Sequence, residues 1–374
     1  MTSRERVLAA LNHKQPDKAP ISIGGHICDS FTKFAKDNYE KHLGLKVTPH
    51  IITDYSMGAV ETPETFLKKF EVDFRTVRMN GPENFTPQVF GDGSYIDEYG
   101  CLNTPCEYYY DVTKRPLQGR DITVKDIENA QWPDPYDPGR IEGLKEKAKK
   151  LYETTGCAIV ADMCCSGPFE MALLMRGWED FLCDLYSDPH IAEALMEKII
   201  EIDIGFWDAF LNEVGEYVDV IAQGDDLAMQ DRSLMPIDMY NKHINKFHKR
   251  LYSFIKSRTN AKILHHCCGS AYELIPGLIE AGVDILNPVQ TTAKNMEPER
   301  LKNEYGNDLS FWGGLDIQKV LPFGTPQEIE DEVKKLIEIF GKDGGYVFAP
   351  AHNIQALVPP ENIDTMLKAA LKYR

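Results

Sequence analysis

Lys262-Ile263-Leu264-His265-His266-Cys267-Cys268-Gly269 reads as a buried strand that runs directly into imidazoles and thiols. An amphipathic stretch, Ala271–Ala281, follows it. A second apolar run, Val283–Pro288, comes next. Strand, helix and strand in that order make a parallel unit, because parallel strands need a crossover connection. Working outward, the same alternation recurs. Strand candidates are Ala19–Gly24, Val72–Met79, Ala158–Asp162, Val218–Gln223, Lys262–His266, Val283–Pro288, Leu309–Gly313 and Tyr346–Pro350. Helical stretches lie between them at Ile191–Ile204, Phe206–Val214, Met239–Lys256 and Pro326–Phe340. The last opens with Thr325-Pro326 and carries Glu328, the pattern of an N-cap, a proline at the first helical position and a capping-box acid. Several strands are apolar on both faces, as buried parallel strands are. Eight strands with intervening helices predict an α/β fold, a closed (β/α)8 barrel spanning residues 1–374 as one domain. A doubly wound open sheet is the competing architecture. Gly24-Gly25 precedes His26 rather than forming a GxGxxG loop, which counts against it.

Residues 80–134 break the alternation. Tyr95–Glu98 and Glu107–Asp111 read as antiparallel strands around Gly100, so this stretch is expected to be a β-hairpin insertion near the barrel mouth. The Pro-rich run Trp132–Pro138 ends it.

The formal net charge is −17. That excludes a nucleic-acid surface, which must be basic, and a polybasic membrane contact. No apolar run is long enough to span a bilayer. The start, Met1–Asn12, lacks the apolar core of a signal peptide, so the cytoplasm is the expected compartment. Nine cysteines in a chain of 374 residues do not make a disulfide scaffold. In a reducing compartment, thiols beside histidines point to metal ligation or catalysis.

Reactive side chains of such a barrel belong at the carboxyl ends of strands. Those ends carry His26 and Cys28; Asp162, Cys164, Cys165 and Glu170; Gln223, Asp225 and Asp226; His265 to Cys268; Asn287 and Gln290; Asp316; and His352 and Gln355. A polar pocket is the simplest account, since burying so many polar groups without partners is costly. His266 and Cys268 lie two apart and face one side of a strand, while His265 and Cys267 face the helices. Imidazole nitrogen and thiolate sulfur are preferred zinc ligands, so His266 and Cys268 are candidates to hold one ion. His352 qualifies as third ligand by position, and Asp226 or Glu170 could complete or replace it. Asp225-Asp226 reads equally as a turn, a helix cap or an acid–base pair.

At these residues the chain resembles the uroporphyrinogen decarboxylase superfamily, and within it the methyltransferase-like branch. The similar segments are Thr2–Asn12 with Gln15–Pro20, Gly224-Asp225-Asp226-Leu227, His266-Cys267-Cys268-Gly269-Ser270, Ile285–Gln290, Trp312–Gln318 and Ala349–Gln355. The resemblance implies a (β/α)8 barrel. It is not to the true decarboxylases, because Ile21–Cys28 lacks the arginine of their porphyrinogen-binding motif. It implies a zinc-dependent methyltransferase that moves a methyl group between a corrinoid on a partner protein and a small substrate. That substrate is a methyl ether or methylamine donor, of the O-demethylase kind, or a thiol. The relatives hold zinc with His-x-Cys and a distant cysteine. His266 and Cys268 match the first two positions, and Ala351-His352 stands at the third. On this reading Asp226 and Glu170 manage protons, while Asn287, Gln290, Asp316, Gln355 and Asp162 bind substrate. The corrinoid protein is the expected partner, since no DxHxxG signature is present, and a homodimer is compatible with the resemblance. A metal-free decarboxylase or lyase, and a non-catalytic barrel that holds a tetrapyrrole or corrinoid, remain open.

Overall fold

The computed structural model describes residues 1–119 and 121–374. Seven strands form one parallel sheet in sequence order: Phe74–Val77, Ala158–Ala161, Val220–Gly224, Lys262–His266, Ile285–Asn287, Ser310–Leu315 and Tyr346–Pro350. Both edges of the sheet bond to one short segment. Phe348 N donates to Pro20 O (2.9 Å), Ser22 N to Phe348 O (2.9 Å) and Asp73 N to Ile21 O (3.0 Å). The sheet thus closes into a (β/α)8 barrel whose first stave is a single bridge, Ile21 to Phe348. The predicted strand Ala19–Gly24 is shortened to this bridge. Pro20 has no N–H to give a ladder, and the chain turns away at Gly24-Gly25. Lys262–His266 and Tyr346–Pro350 have the predicted bounds. Five strands are buried throughout, Ala158–Ala161, Val220–Gly224, Ile285–Asn287, Ser310–Leu315 and Tyr346–Pro350, as parallel strands covered on both faces should be.

Two helical expectations need correction. Ile191–Ile204 and Phe206–Val214 are one helix, Pro189–Val214. Gly205 does not break it; it lets Pro135 approach so closely that a Cβ there would lie 2.6 Å from the proline ring. The helix expected over Met239–Lys256 runs from Ile237 to Arg258 and widens into a π-turn at Tyr240–Ile244. Pro326–Phe340 and its capping box are as predicted, with Thr325 N donating to Glu328 (2.7 Å).

The insertion is a four-stranded antiparallel meander, Gln88–Val89, Tyr95–Ile96, Leu102–Cys106 and Tyr109–Lys114, rather than one hairpin. Glu107 and Tyr108 form its turn, with Glu107 at φ 47, so the strand expected over Glu107–Asp111 starts later. The Tyr109 hydroxyl donates to Gln355, which follows the last barrel strand. The meander therefore rests on the mouth. A small antiparallel sheet of Phe31–Thr32, Ala59–Val60 and Ile52–Asp54, not foreseen from the sequence, lies beside it through Tyr110 N to Ser56 O (3.1 Å). Among the described residues, no helix is long and apolar enough to cross a membrane.

Candidate metal centre at the barrel mouth

The strand Lys262–His266 sorts its reactive residues by parity. His265 turns outward and pairs with the Tyr252 hydroxyl on the helix Asn245–Arg258. Cys267 also points away from the mouth, and its sulfur accepts the Leu227 N–H (3.5 Å). His266 and Cys268 face the mouth. His266 Nδ1 lies 2.6 Å from Asn287 Oδ1, and Asn287 Nδ2 donates to the Trp312 carbonyl (3.1 Å). That second bond orients the Asn287 amide, so its oxygen must accept and His266 Nδ1 must donate. The lone pair of His266 then sits on Nε2, which faces Cys268 Sγ at 3.4 Å. An imidazole whose far nitrogen is tied to an oxygen acceptor is the arrangement of a metal ligand.

Two groups of possible ligands share His266. One is Asp226, His266 and Cys268; the other is Cys28, His266 and His352. Within each, the donor atoms lie within 4.8 Å of one another. Cys268 N donates to Asp226 Oδ1 (2.8 Å), which stands 4.0 Å from His266 Nε2. Burial, followed by the charge of Asp226, raises the Cys268 thiol well above its ordinary value, and burial does the same to Cys28. Burial lowers His266, and burial with neighbouring His266 and His26 pushes His352 down to about 3. Both rings are thus neutral near pH 7, as ligands must be. His352 differs from His266 in tautomer. Its Nδ1 accepts the Asn353 N–H (2.8 Å), which leaves its proton on Nε2.

The adjacent aspartates separate. Asp225 is buried and accepts from Phe169 N (3.0 Å), Glu170 N (2.6 Å) and His248 Nε2 (2.9 Å). It caps the helix Pro168–Arg176. Gly167 is required beside it, because a Cβ there would fall 2.4 Å from the Asp225 side chain. Asp226 faces the mouth and, with Glu170, lines a cavity of about 200 Å³ walled by Leu173, Leu174, Trp178 and Met229. Burial and then the charges of Asp226, Asp225 and Asp54 raise the Glu170 carboxyl well above its ordinary value.

The residues expected to bind substrate each bond to the protein. Asn287 orients His266, as described. Gln290 accepts the Gly269 N–H and braces the turn after Cys268. Asp316 accepts from Gln318 N (3.1 Å), Lys319 N (2.8 Å) and Val320 N (2.8 Å), capping the helix Val320–Phe323. Gln355 holds the meander. Asp162 accepts the Ile27 N–H (3.0 Å) and ion-pairs with Arg78. Sequence reasoning noted Cys28 at the end of the first strand without assigning it to the cluster. Barrel closure brings it there, since Ile21 and Phe348 are neighbours. The signal available was that both Cys28 and His352 follow staves that a closed barrel must pair.

The model of the family described as uroporphyrinogen decarboxylase matches residues 106–373, and the chain belongs to that family. Among curated relatives, the methylcobamide:CoM methyltransferase MtbA of Methanosarcina mazei is 24% identical over 67% of this chain and 70% of its own. The methylated-thiol–coenzyme M methyltransferase of the same organism is 24% identical over 68% and 66%. A uroporphyrinogen decarboxylase of Geobacter sp. is 26% identical over 67% and 71%. A solved methyltransferase from Methanosarcina mazei superposes with a TM-score of 0.66 at 18% identity, covering 100% of this chain and 99% of the other, which shows the shared fold.

Proposed function

We propose that this member of the uroporphyrinogen decarboxylase family is a zinc-dependent methyltransferase. It moves a methyl group between a small methylated substrate, or a thiol, and a corrinoid carried by a partner protein. The observation that carries the reading is the His266 ring, tied at Nδ1 to Asn287 and turned with its Nε2 lone pair onto Cys268 Sγ at 3.4 Å. The names of the relatives, which concern methylcobamide, methylated thiols and coenzyme M, support the reaction class.

The donor set fits zinc: an imidazole nitrogen, a thiol sulfur and a carboxylate oxygen, all at reachable separations. His266, Cys268 and Asp226 would hold the ion, and Cys28, whose sulfur also groups with His266, would be a further candidate ligand. Zinc bound there would supply a Lewis acid that keeps a thiol as thiolate or loosens a heteroatom from its methyl group. His352 was expected as the third ligand. With its proton on Nε2, it serves this reading better as a donor to the substrate heteroatom. Glu170, whose carboxyl burial and nearby acids raise well above its ordinary value, lines the cavity with Asp226 and would carry the proton that a departing heteroatom needs. The free cysteines suit a compartment that keeps thiols reduced, which we take to be the cytoplasm.

The test is methyl transfer between a methylated corrinoid and a thiol, read by corrinoid absorbance, alongside metal analysis. About one zinc per chain and zinc-dependent turnover are expected. Full turnover by metal-free protein would sink the proposal. The raised carboxyl of Glu170 favours a second reading, a metal-free lyase of the same family; unaltered turnover in Cys268→Ser would support it.

A further inference from the structure

The buried cysteines are Cys28, Cys101, Cys157 and Cys267. The last three use their sulfur within the fold. Cys101 Sγ donates to the Leu174 carbonyl (3.6 Å) and Cys157 Sγ to the Thr155 carbonyl (3.7 Å). Cys267 Sγ donates to the Cys268 carbonyl (3.7 Å) and accepts the Leu227 N–H (3.5 Å). Cys28 is only 5% exposed, yet its sulfur makes no hydrogen bond among the described residues.

The backbone around Cys28 is held from several sides. The residue lies in the short 3-10 turn Ile27–Asp29, and its N–H donates to His26 Nδ1 (3.2 Å). Ile27 N donates to Asp162 Oδ1 (3.0 Å), and Ser30 N to Asn353 Oδ1 (3.0 Å). Ile354 N donates to Ser30 O (2.9 Å) and Thr32 N to Ile354 O (3.0 Å). The turn is thus zipped to the segment that follows the last strand, and barrel closure delivers its thiol to His266. Cys28 Sγ lies within 4.8 Å of a His266 ring nitrogen. Nδ1 of that ring is committed to Asn287, so Nε2 is left for an ion that Cys28 and Cys268 can share. His352 completes the Cys28 group, but its Nδ1 is taken by the Asn353 N–H and its Nε2 carries the proton, which leaves no lone pair to give. Burial and then the neighbouring Cys268 raise the Cys28 thiol well above its ordinary value, as expected of two sulfurs that face one space. Asp226 is the open member of the cluster, with a side chain 39% exposed.

We infer that Cys28 is a permanent ligand of the metal, so that one imidazole and two thiolates hold it: His266, Cys268 and Cys28. Asp226 marks the position that yields to substrate. Three protein ligands and one exchangeable position are the form of a catalytic zinc, whereas a structural zinc is closed. This rests on the metal of the proposed function and not on methyl transfer.

The test uses the whole metal-free chain loaded with cobalt(II) alone, under a phosphine reductant. Cobalt takes zinc's donors, and each bound thiolate adds sulfur-to-metal charge-transfer absorbance. Wild type, Cys267→Ser, His352→Ala and Asp226→Ala should show the full band. Cys28→Ser and Cys268→Ser should each keep about half of it, one thiolate of two. Cys28→Ser should also weaken zinc at least about tenfold in competition with a chelator. Circular dichroism confirms the fold, Cys28→Ala repeats the substitution without a hydroxyl, and cadmium NMR of wild type counts the sulfurs with no substitution at all. A full band in folded Cys28→Ser, a one-sulfur cadmium shift in wild type, or a band halved by His352→Ala or Asp226→Ala overturns the inference and leaves a zinc methyltransferase standing. A two-thiolate band in a protein that transfers no methyl group upholds the inference and removes the activity.

Discussion

Two layers of the barrel receive the same residue types from neighbouring positions and use them in opposite ways. Asp225, His265 and Cys267 enter the layer between strands and helices, where Asp225 bonds His248 and His265 meets Tyr252. Asp226, His266 and Cys268 enter the mouth, where their donor atoms converge within 4.8 Å. The outer set is spent on backbone N–H groups and helix side chains. The inner set keeps a lone pair, a thiol and a carboxylate pointed at common space. Residue chemistry alone does not make a site; the parity of the strand that carries it does.

Exchanging the layers is the sharpest way to break this contrast. In the mouth, His266→Ala or Cys268→Ala should remove zinc from about one per chain to near none, with methyl transfer lost and the fold kept. Metal analysis and circular dichroism check this. In the outer layer, Asp225→Ala should leave the buried His248 Nε2 and two backbone N–H groups unpaired. A loss of about 3–5 kcal/mol in unfolding free energy is expected by denaturant titration. If Asp225→Ala is neutral for stability but loses zinc, the two layers have been assigned the wrong way round.

Smaller effects sharpen the same comparison. Asn287→Ala frees His266 to rotate and should weaken zinc about 10–100-fold by competition with a chelator, without unfolding the barrel. Glu170 sets a pH dependence in the metal-free protein. Its folded-state value is raised by burial and then by the charges of Asp226, Asp225 and Asp54, so folding favours its protonated form over the charged one. Its stabilising effect is complete below the unfolded value near 4.5 and is lost as pH rises through the folded value. Thermal scans from acid to alkaline pH should show Glu170→Gln overtaking wild type on the alkaline side; parallel curves would remove Glu170 from the proton-handling role. Smallest of all, Cys267→Ala should cost about 1 kcal/mol and leave zinc content unchanged, because it trims one buried sulfur.

Much of this was readable from residue order. The apolar run Lys262–Leu264 ending in His266 and Cys268 announced both the barrel and the inner pair, because strand parity is a local property. The first stave was not readable at its true length. Ala19–Gly24 has strand composition, but Pro20 and the turn at Gly24 reduce it to a bridge that exists only once the sheet closes. Cys28 entered the cluster for the same reason, through a closure that joins the two ends of the chain. The tautomer of His352 depends on one backbone N–H, that of Asn353, which no sequence pattern reveals. Asp316 and Gln290 sit at strand ends like catalytic residues, yet they cap and brace, because helix starts and tight turns also need acceptors there.

On the proposed function, the inner pair holds a metal and the outer pair does not. Zinc should be counted per chain in wild type, Cys267→Ala and Cys268→Ala proteins purified together under reducing conditions. About one zinc is expected in wild type and in Cys267→Ala, and near none in folded Cys268→Ala. Equal zinc in all three proteins, or none in wild type with full methyl transfer, would contradict it.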